Sequence, residues 1–210
     1  MGNASNYSNN FITKIVPVAL FKFCDVYLLI LFIILIFFYI GTDFKNSMEE
    51  ISLAIGGCKS NKFMFRKLIS LLVVYTVLYL ISFTNIYTLY ISKVGGMGNL
   101  ISIKEIILYS LVTNVFIISL SLFIIYISRD IAVSTSIITS YYLIEEALWR
   151  CKITQTKGIL GHIYQYSDYG KGEILKVKLF YVFISIILLI FTYKISERKK
   201  FVLDLFQNKG

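Results

Sequence analysis

Between Val26 and Ile40, thirteen of fifteen residues are Val, Ile, Leu or Phe, and so dense an apolar run can be hidden in few ways. At about −0.3 to −0.6 kcal/mol per residue in a membrane helix, it favours insertion into a bilayer by roughly 4 to 8 kcal/mol. One charge near its end does not reverse that balance. Four more apolar runs follow, in a chain that is 57% apolar and 16% charged with a single proline. Soluble domains carry about 25% charged residues and could not cover this much apolar surface. The expected fold class is therefore all-α: a polytopic membrane protein of about five transmembrane helices. No Pro-, Gly- or Ser-rich linker divides the chain, so residues 1–210 form one transmembrane domain.

The spans are expected at about 15–41, 69–92, 105–128, 131–149 and 178–193. In the first, Lys22 and Asp25 are three residues apart and can pair on one helix face while the lysine snorkels outward. Arg129-Asp130 is too short to be anything but a tight turn, which makes the third and fourth spans antiparallel neighbours. The segment 150–177 is expected outside the membrane and holds the sole histidine, His162, a solvated side chain. Its tyrosines, Tyr164, Tyr166 and Tyr169, suit an interfacial belt. Cys24, Cys58 and Cys151 are scattered without CxxC spacing and indicate no disulfide framework. No positively charged n-region precedes the first apolar run and no small-residue cleavage site follows it, so a cleaved signal peptide is not expected.

The polar stretch 42–68 is the one long interruption in the first ninety residues. Ser47-x-x-Glu50 forms a capping box, in which each side chain satisfies an orphan backbone N–H at a helix start. Met48, Ile51 and Ile55 then lie at i, i+3 and i+7, an apolar stripe of about two turns. Gly56-Gly57 supplies the left-handed conformation that ends many helices. Lys59, Lys62, Arg66 and Lys67 follow. The expectation is a short amphipathic helix at the membrane surface with a basic strip behind it.

A net charge of +9 would suggest nucleic acid in a soluble chain. Here the basic residues flank apolar runs, so the lipid bilayer is the expected partner and nucleic acid is not. Charge sets the orientation only narrowly. With the polar stretch inside, eleven Lys/Arg lie inside and ten outside, but the inside ones are dense at 59–67 and 194–200. The working topology has an external N-terminus and a cytoplasmic C-terminus.

No enzyme constellation is found. One histidine rules out HExxH, GxSxG is missing, and Gly57-Cys58-Lys59-Ser60 lacks the GxxxxGK[ST] order of a phosphate loop. Neither a cofactor nor a metal site is expected, and any ATP hydrolysis belongs to a partner.

The polar stretch resembles the segment after the second transmembrane helix of ABC-2-type transporter permeases, approximately T-L-E-x-L-L-x-L-P-x-S-R followed by a later Lys. Glu50 stands at the Glu, Ile51 and Leu53 at apolar positions, Gly56 at the Pro, Cys58 at the Ser, Lys59 at the Arg, and Arg66 or Lys67 at the later basic residue. The order of two spans, a tight turn, another span, an external segment and a last span is similar too, over roughly residues 25 to 200. The resemblance implies a permease subunit of an exporter. Ser47, Glu50, Ile51, Ile55, Gly56 and Lys59 would couple it to a separate nucleotide-binding ATPase subunit, and a second permease chain would complete a homo- or heterodimer. The family usually has six spans, and its first has no counterpart here; Gly56 and Cys58 depart from two recognisable positions. A second, looser likeness is to the MacB/FtsX-like segment E-I-x-L-x-x-x-G-A, matched from Glu50 to Gly57 only with a deletion. The alternative is a small membrane immunity or accessory protein with no ATPase.

Four polar residues inside or beside spans are candidate pathway groups: Asn85, Asn114, Glu145 and Glu146. For the two amides, interhelical hydrogen bonding is the commoner use. Carboxylates at mid-bilayer would be functional; the proximity of Trp149 favours instead an interfacial pairing of Glu145 and Glu146 with Arg150 or Lys152.

Overall fold

The structure, a computed structural model, describes residues 23–45, 60–94, 107–150 and 173–207. Five helices make up these segments, and no strand occurs among the described residues. Helix α1 is Leu29–Lys45, α2 is Ser60–Val94, α3 is Val112–Ser128, α4 is Ile131–Arg150 and α5 is Glu173–Gln207. Two of them open with π-helical turns: Phe23–Leu28 leads into α1 and Ile107–Leu111 into α3. The coupling segment proposed from sequence, the start of the first span and most of the segment 150–177 lie outside the described residues.

Helix α3 is the centre of the bundle. It packs chiefly on α5, and on α1 and α4 at its sides, while α2 leans on α5 and on the π-helical turn before α1. Stacked or tilted rings join the helices. Phe116 of α3 stacks on Tyr181 of α5 with centroids 4.8 Å apart, and Phe32 of α1 meets Tyr75 of α2 at 5.0 Å. Along α2, Tyr75, Tyr79, Phe83 and Tyr87 form a ladder at spacing i+4, with centroids 6.1, 5.9 and 6.1 Å apart in turn. Side chains four apart share one helix face, so the ladder presents a single aromatic edge to the core.

The α3–α4 turn forms as the residues Arg129-Asp130 require. Arg129 adopts a left-handed conformation (φ 54°) and donates its backbone N–H to the Ile125 carbonyl at 2.9 Å, closing α3. The Asp130 carboxylate accepts the Val133 N–H at 2.8 Å, capping α4. Gly41 lets α1 approach this corner, since a Cβ there would run into the Ile131 side chain.

Polarity is distributed the wrong way round for a soluble protein. Leu31, Leu35 and Phe38 of α1, Val73, Val77 and Ile81 of α2, and Leu179, Phe183 and Ile186 of α5 are all exposed, while Asp25, Asn114, Glu145 and Lys178 are buried. Soluble monomers rarely leave contiguous apolar faces of this extent. Two stretches, Phe65–Thr88 and Leu175–Ser196, are long and apolar enough to cross a membrane. Only 17% and 22% of their apolar windows are buried, which distinguishes them from the core helices of a soluble protein. Four of their Ser and Thr hydroxyls are satisfied locally: Thr76, Thr84, Ser185 and Thr192 each donate to the carbonyl four residues back at 2.6 to 2.8 Å. A Ser or Thr so bonded adds little polar cost to an apolar helix. These features point to membrane association.

Candidate functional site

Ser119, Ser121, Ser134, Ser185 and Thr192 are buried but bonded locally along or between helix turns. The other buried polar groups form a tier across the bundle, to which every described helix or its leading π-helical turn contributes. Asp25 lies in the first π-helical turn and Ser110 in the second. A π turn shifts the register of an α-helix by one residue, re-aiming the side chains around it, and such turns are frequent at functional sites. Here both turns supply one contact. The Ser110 hydroxyl donates to Asp25 Oδ1, and Asn114 Nδ2 donates to the same oxygen at 2.7 Å. Because the Ser110 proton is committed to the carboxylate, the hydroxyl bond between Tyr79 and Ser110 must be donated by Tyr79. The result is an ordered chain, Tyr79 O–H to Ser110 O–H to Asp25, running from α2 through α3 to the turn before α1.

A second acidic neighbourhood lies on α4. Tyr141 Oη donates to Glu145 Oε1 at 2.9 Å, one helical turn apart. Lys178 of α5 reaches the polar face of α3. It is buried, donates to Thr113 Oγ1 on α3, and has the Tyr181 ring 5.8 Å from its ammonium. The charges of Asp25 and Glu145 both act on it. Ser110, Thr113 and Asn114, at i, i+3 and i+4, are the polar face that α3 turns to these partners. The tier thus holds two carboxylates and one ammonium, one positive charge short of neutrality when all are ionised. Such a site can accept a proton or lock five helices together. No group of three or more metal-ligating side chains occurs among the described residues.

No family model, curated protein or solved structure matches this chain. The site must therefore be interpreted on its own chemistry.

Of the residues singled out from sequence, Asn114 and Glu145 are in this tier. Asn85 is not: it lies on the exposed face of α2, two turns beyond Tyr79, where its carbonyl accepts the Thr88 hydroxyl at 2.9 Å. Glu145 is fully buried and accepts the Tyr141 hydroxyl; the side chains of Trp149, Arg150 and Lys152, on which its expected interfacial pairing rests, lie outside the described residues. The side chain of Glu146 lies outside the described residues, as do Ser47, Glu50, Ile51, Ile55, Gly56 and Lys59. Asp25 is bonded to Ser110 and Asn114; Lys22, with which it was expected to pair, is outside the described residues. Sequence reasoning missed Lys178, Tyr79, Tyr141, Ser110 and Thr113. The signals were present as spacings: a polar i, i+3, i+4 face at 110–114, a Tyr-x-x-x-Glu pair at 141–145, and the aromatic ladder on α2.

Proposed function

We propose that this chain is a five-span membrane subunit of a transporter, the permease of an ABC-type exporter driven by a separate ATPase. The observation that carries the reading is the charged tier. Ionisable groups held inside a membrane bundle are expensive and mark pathways or moving parts by default. Its depth follows from helix rise, taking the Lys67–Asp43 ion pair and the Arg129-Asp130 turn as one membrane boundary. At 1.5 Å per residue Tyr79 is about 18 Å above Lys67, Asn114 and Glu145 are each about 21 Å from the turn, and Asp25 is about 27 Å from Asp43. The tier thus falls in the half of a hydrocarbon layer, about 30 Å thick, that lies away from that boundary.

The mechanism is mechanical. The polar stretch joining α1 to α2 is where an ATPase subunit would dock, through a helix at Ser47–Gly57 with Ile51 and Ile55 on its apolar face. Both helices rooted on that stretch lead to the tier, α1 through Asp25 and α2 through Tyr79. A push on the stretch would be felt as a change of register among Asp25, Ser110 and Tyr79, and would shift the balance of Lys178 between the two carboxylates. Five helices enclose too little space for a wide pathway, so the route would run between two such chains.

One observation favours the accessory-protein alternative: Asp25, Ser110, Asn114, Glu145 and Lys178 are all at most 3% exposed, as a static lock would be. Co-purification separates the two. Extracted in mild detergent, the wild-type chain should bring down an ATPase subunit, and Ile51→Asp, which puts a charge into the docking face, should lose it while membrane abundance stays the same. Association that is absent from the wild type, or indifferent to Ile51→Asp, would leave the accessory reading standing.

A further inference from the structure

A groove of about 620 Å³ runs between α1 and α2 at the bundle end marked by the Lys67–Asp43 ion pair. Its walls are apolar, formed by Phe32, Leu35 and Ile36 on one side and Leu71 and Val74 on the other. Its mouth is basic. Arg66 and Lys67 line it, with Arg66 exposed; Lys67 pairs with Asp43 and lies over the Tyr39 ring, 4.4 Å from its centroid. With Asp43 answering one of the two cations, these residues leave one net positive charge at the mouth. From Lys67 to Val74 the groove descends about 10 Å into the apolar zone, well short of the charged tier. A volume within the usual range of about 300–1,000 Å³ for ligand sites, an apolar floor and one surplus cation at a membrane boundary describe an amphiphile with one negative charge.

We propose that this groove is a binding site for a single anionic phospholipid, its phosphate at Arg66 and the upper part of one acyl chain between α1 and α2. The lipid is the occupant favoured by charge complementarity, and a phosphodiester supplies the single charge that the mouth leaves over. The site is independent of the transport reading, since it uses none of the tier residues and needs no ATPase.

Native mass spectrometry of the detergent-purified chain tests it, with phosphatidylglycerol and phosphatidylcholine of matched acyl chains offered in equal amounts. One retained phosphatidylglycerol per chain is expected, favoured over phosphatidylcholine about fivefold, the factor one Arg or Lys contributes towards an anionic lipid. Arg66→Gln changes an exposed side chain and should abolish that preference without altering the melting temperature. Leu35→Trp, also at an exposed position, should fill the groove and lower retention of both lipids. Equal retention of the two lipids by the wild type, a preference unchanged in Arg66→Gln, or a second copy of the chain that Leu35→Trp displaces would each overturn the proposal.

Discussion

Replacing Lys178 by Met tests whether the tier is an electrostatic unit. Methionine is unbranched and of similar length, so the volume between α3 and α5 stays filled while the ammonium is removed. Two losses follow. The hydrogen bond to Thr113 is worth about 0.6 to 2 kcal/mol inside a membrane bundle. Removing the cation from a buried charge cluster costs more, about 3–5 kcal/mol, because the groups it balanced are left uncompensated. The second figure already contains the first, so Lys178→Met should destabilise the bundle by about 3–5 kcal/mol, with protonation of Asp25 or Glu145 as the route by which the protein limits the damage. The double mutant decides the cause: Lys178→Met with Glu145→Gln leaves one buried carboxylate instead of two, and should be more stable than the sum of the single effects by about 0.5–3 kcal/mol. Unfolding in mixed micelles by SDS titration, followed by circular dichroism, measures all four members of the cycle. A cost below about 1 kcal/mol for Lys178→Met, or additivity within about 0.5 kcal/mol, would refute the idea that Lys178 holds the two carboxylates in one unit.

Two further substitutions probe packing around the tier. Tyr75 and Tyr79 are both buried on the α2 ladder, but the Tyr79 hydroxyl bonds Ser110 and the Tyr75 hydroxyl has no hydrogen-bond partner among the described residues. Tyr79→Phe should thus cost about 1 kcal/mol and Tyr75→Phe should be neutral or stabilising, as read by the same titration. Gly41→Leu forces a side chain into Ile131 where α1 meets the start of α4. It should destabilise by about 1–3 kcal/mol, and Ile131→Ala in the same chain should recover part of the loss.

The positions of the helices were legible because hydropathy and helix formation coincide in a membrane protein. The third and fourth apolar runs, at 105–128 and 131–149, coincide within two residues with the helical segments Ile107–Ser128 and Ile131–Arg150. The second and fifth helices overrun their apolar runs, starting at Ser60 and ending at Gln207. Lys, Arg and Glu interrupt hydropathy but are good helix formers, so the run marks the membrane and not the helix. The inward faces were harder. In a soluble helix the buried side is the apolar side, but here both sides are apolar, and nothing in composition says that Asn114 turns inward while Asn85 turns out. The burial of Glu145 was hidden for a related reason: its neighbour Trp149 drew attention to an interface, and the Tyr141 hydroxyl that it accepts lies one turn back along α4. Lys178 could be assigned only once α5 was seen to pack on α3.

Topology is the claim on which the rest depends, and impermeant thiol labelling in intact cells measures it most directly. The native cysteines Cys24, Cys58 and Cys151 are first replaced, and single cysteines are then placed at Ser5, Ser60 and Thr156. Five spans with an external N-terminus predict labelling at positions 5 and 156, and protection at 60 until the membrane is permeabilised. Labelling at 60 with protection at 5 and 156 would invert the bundle and remove the stretch 42–68 from the ATPase side, and labelling at all three in intact cells would contradict the five-span arrangement itself.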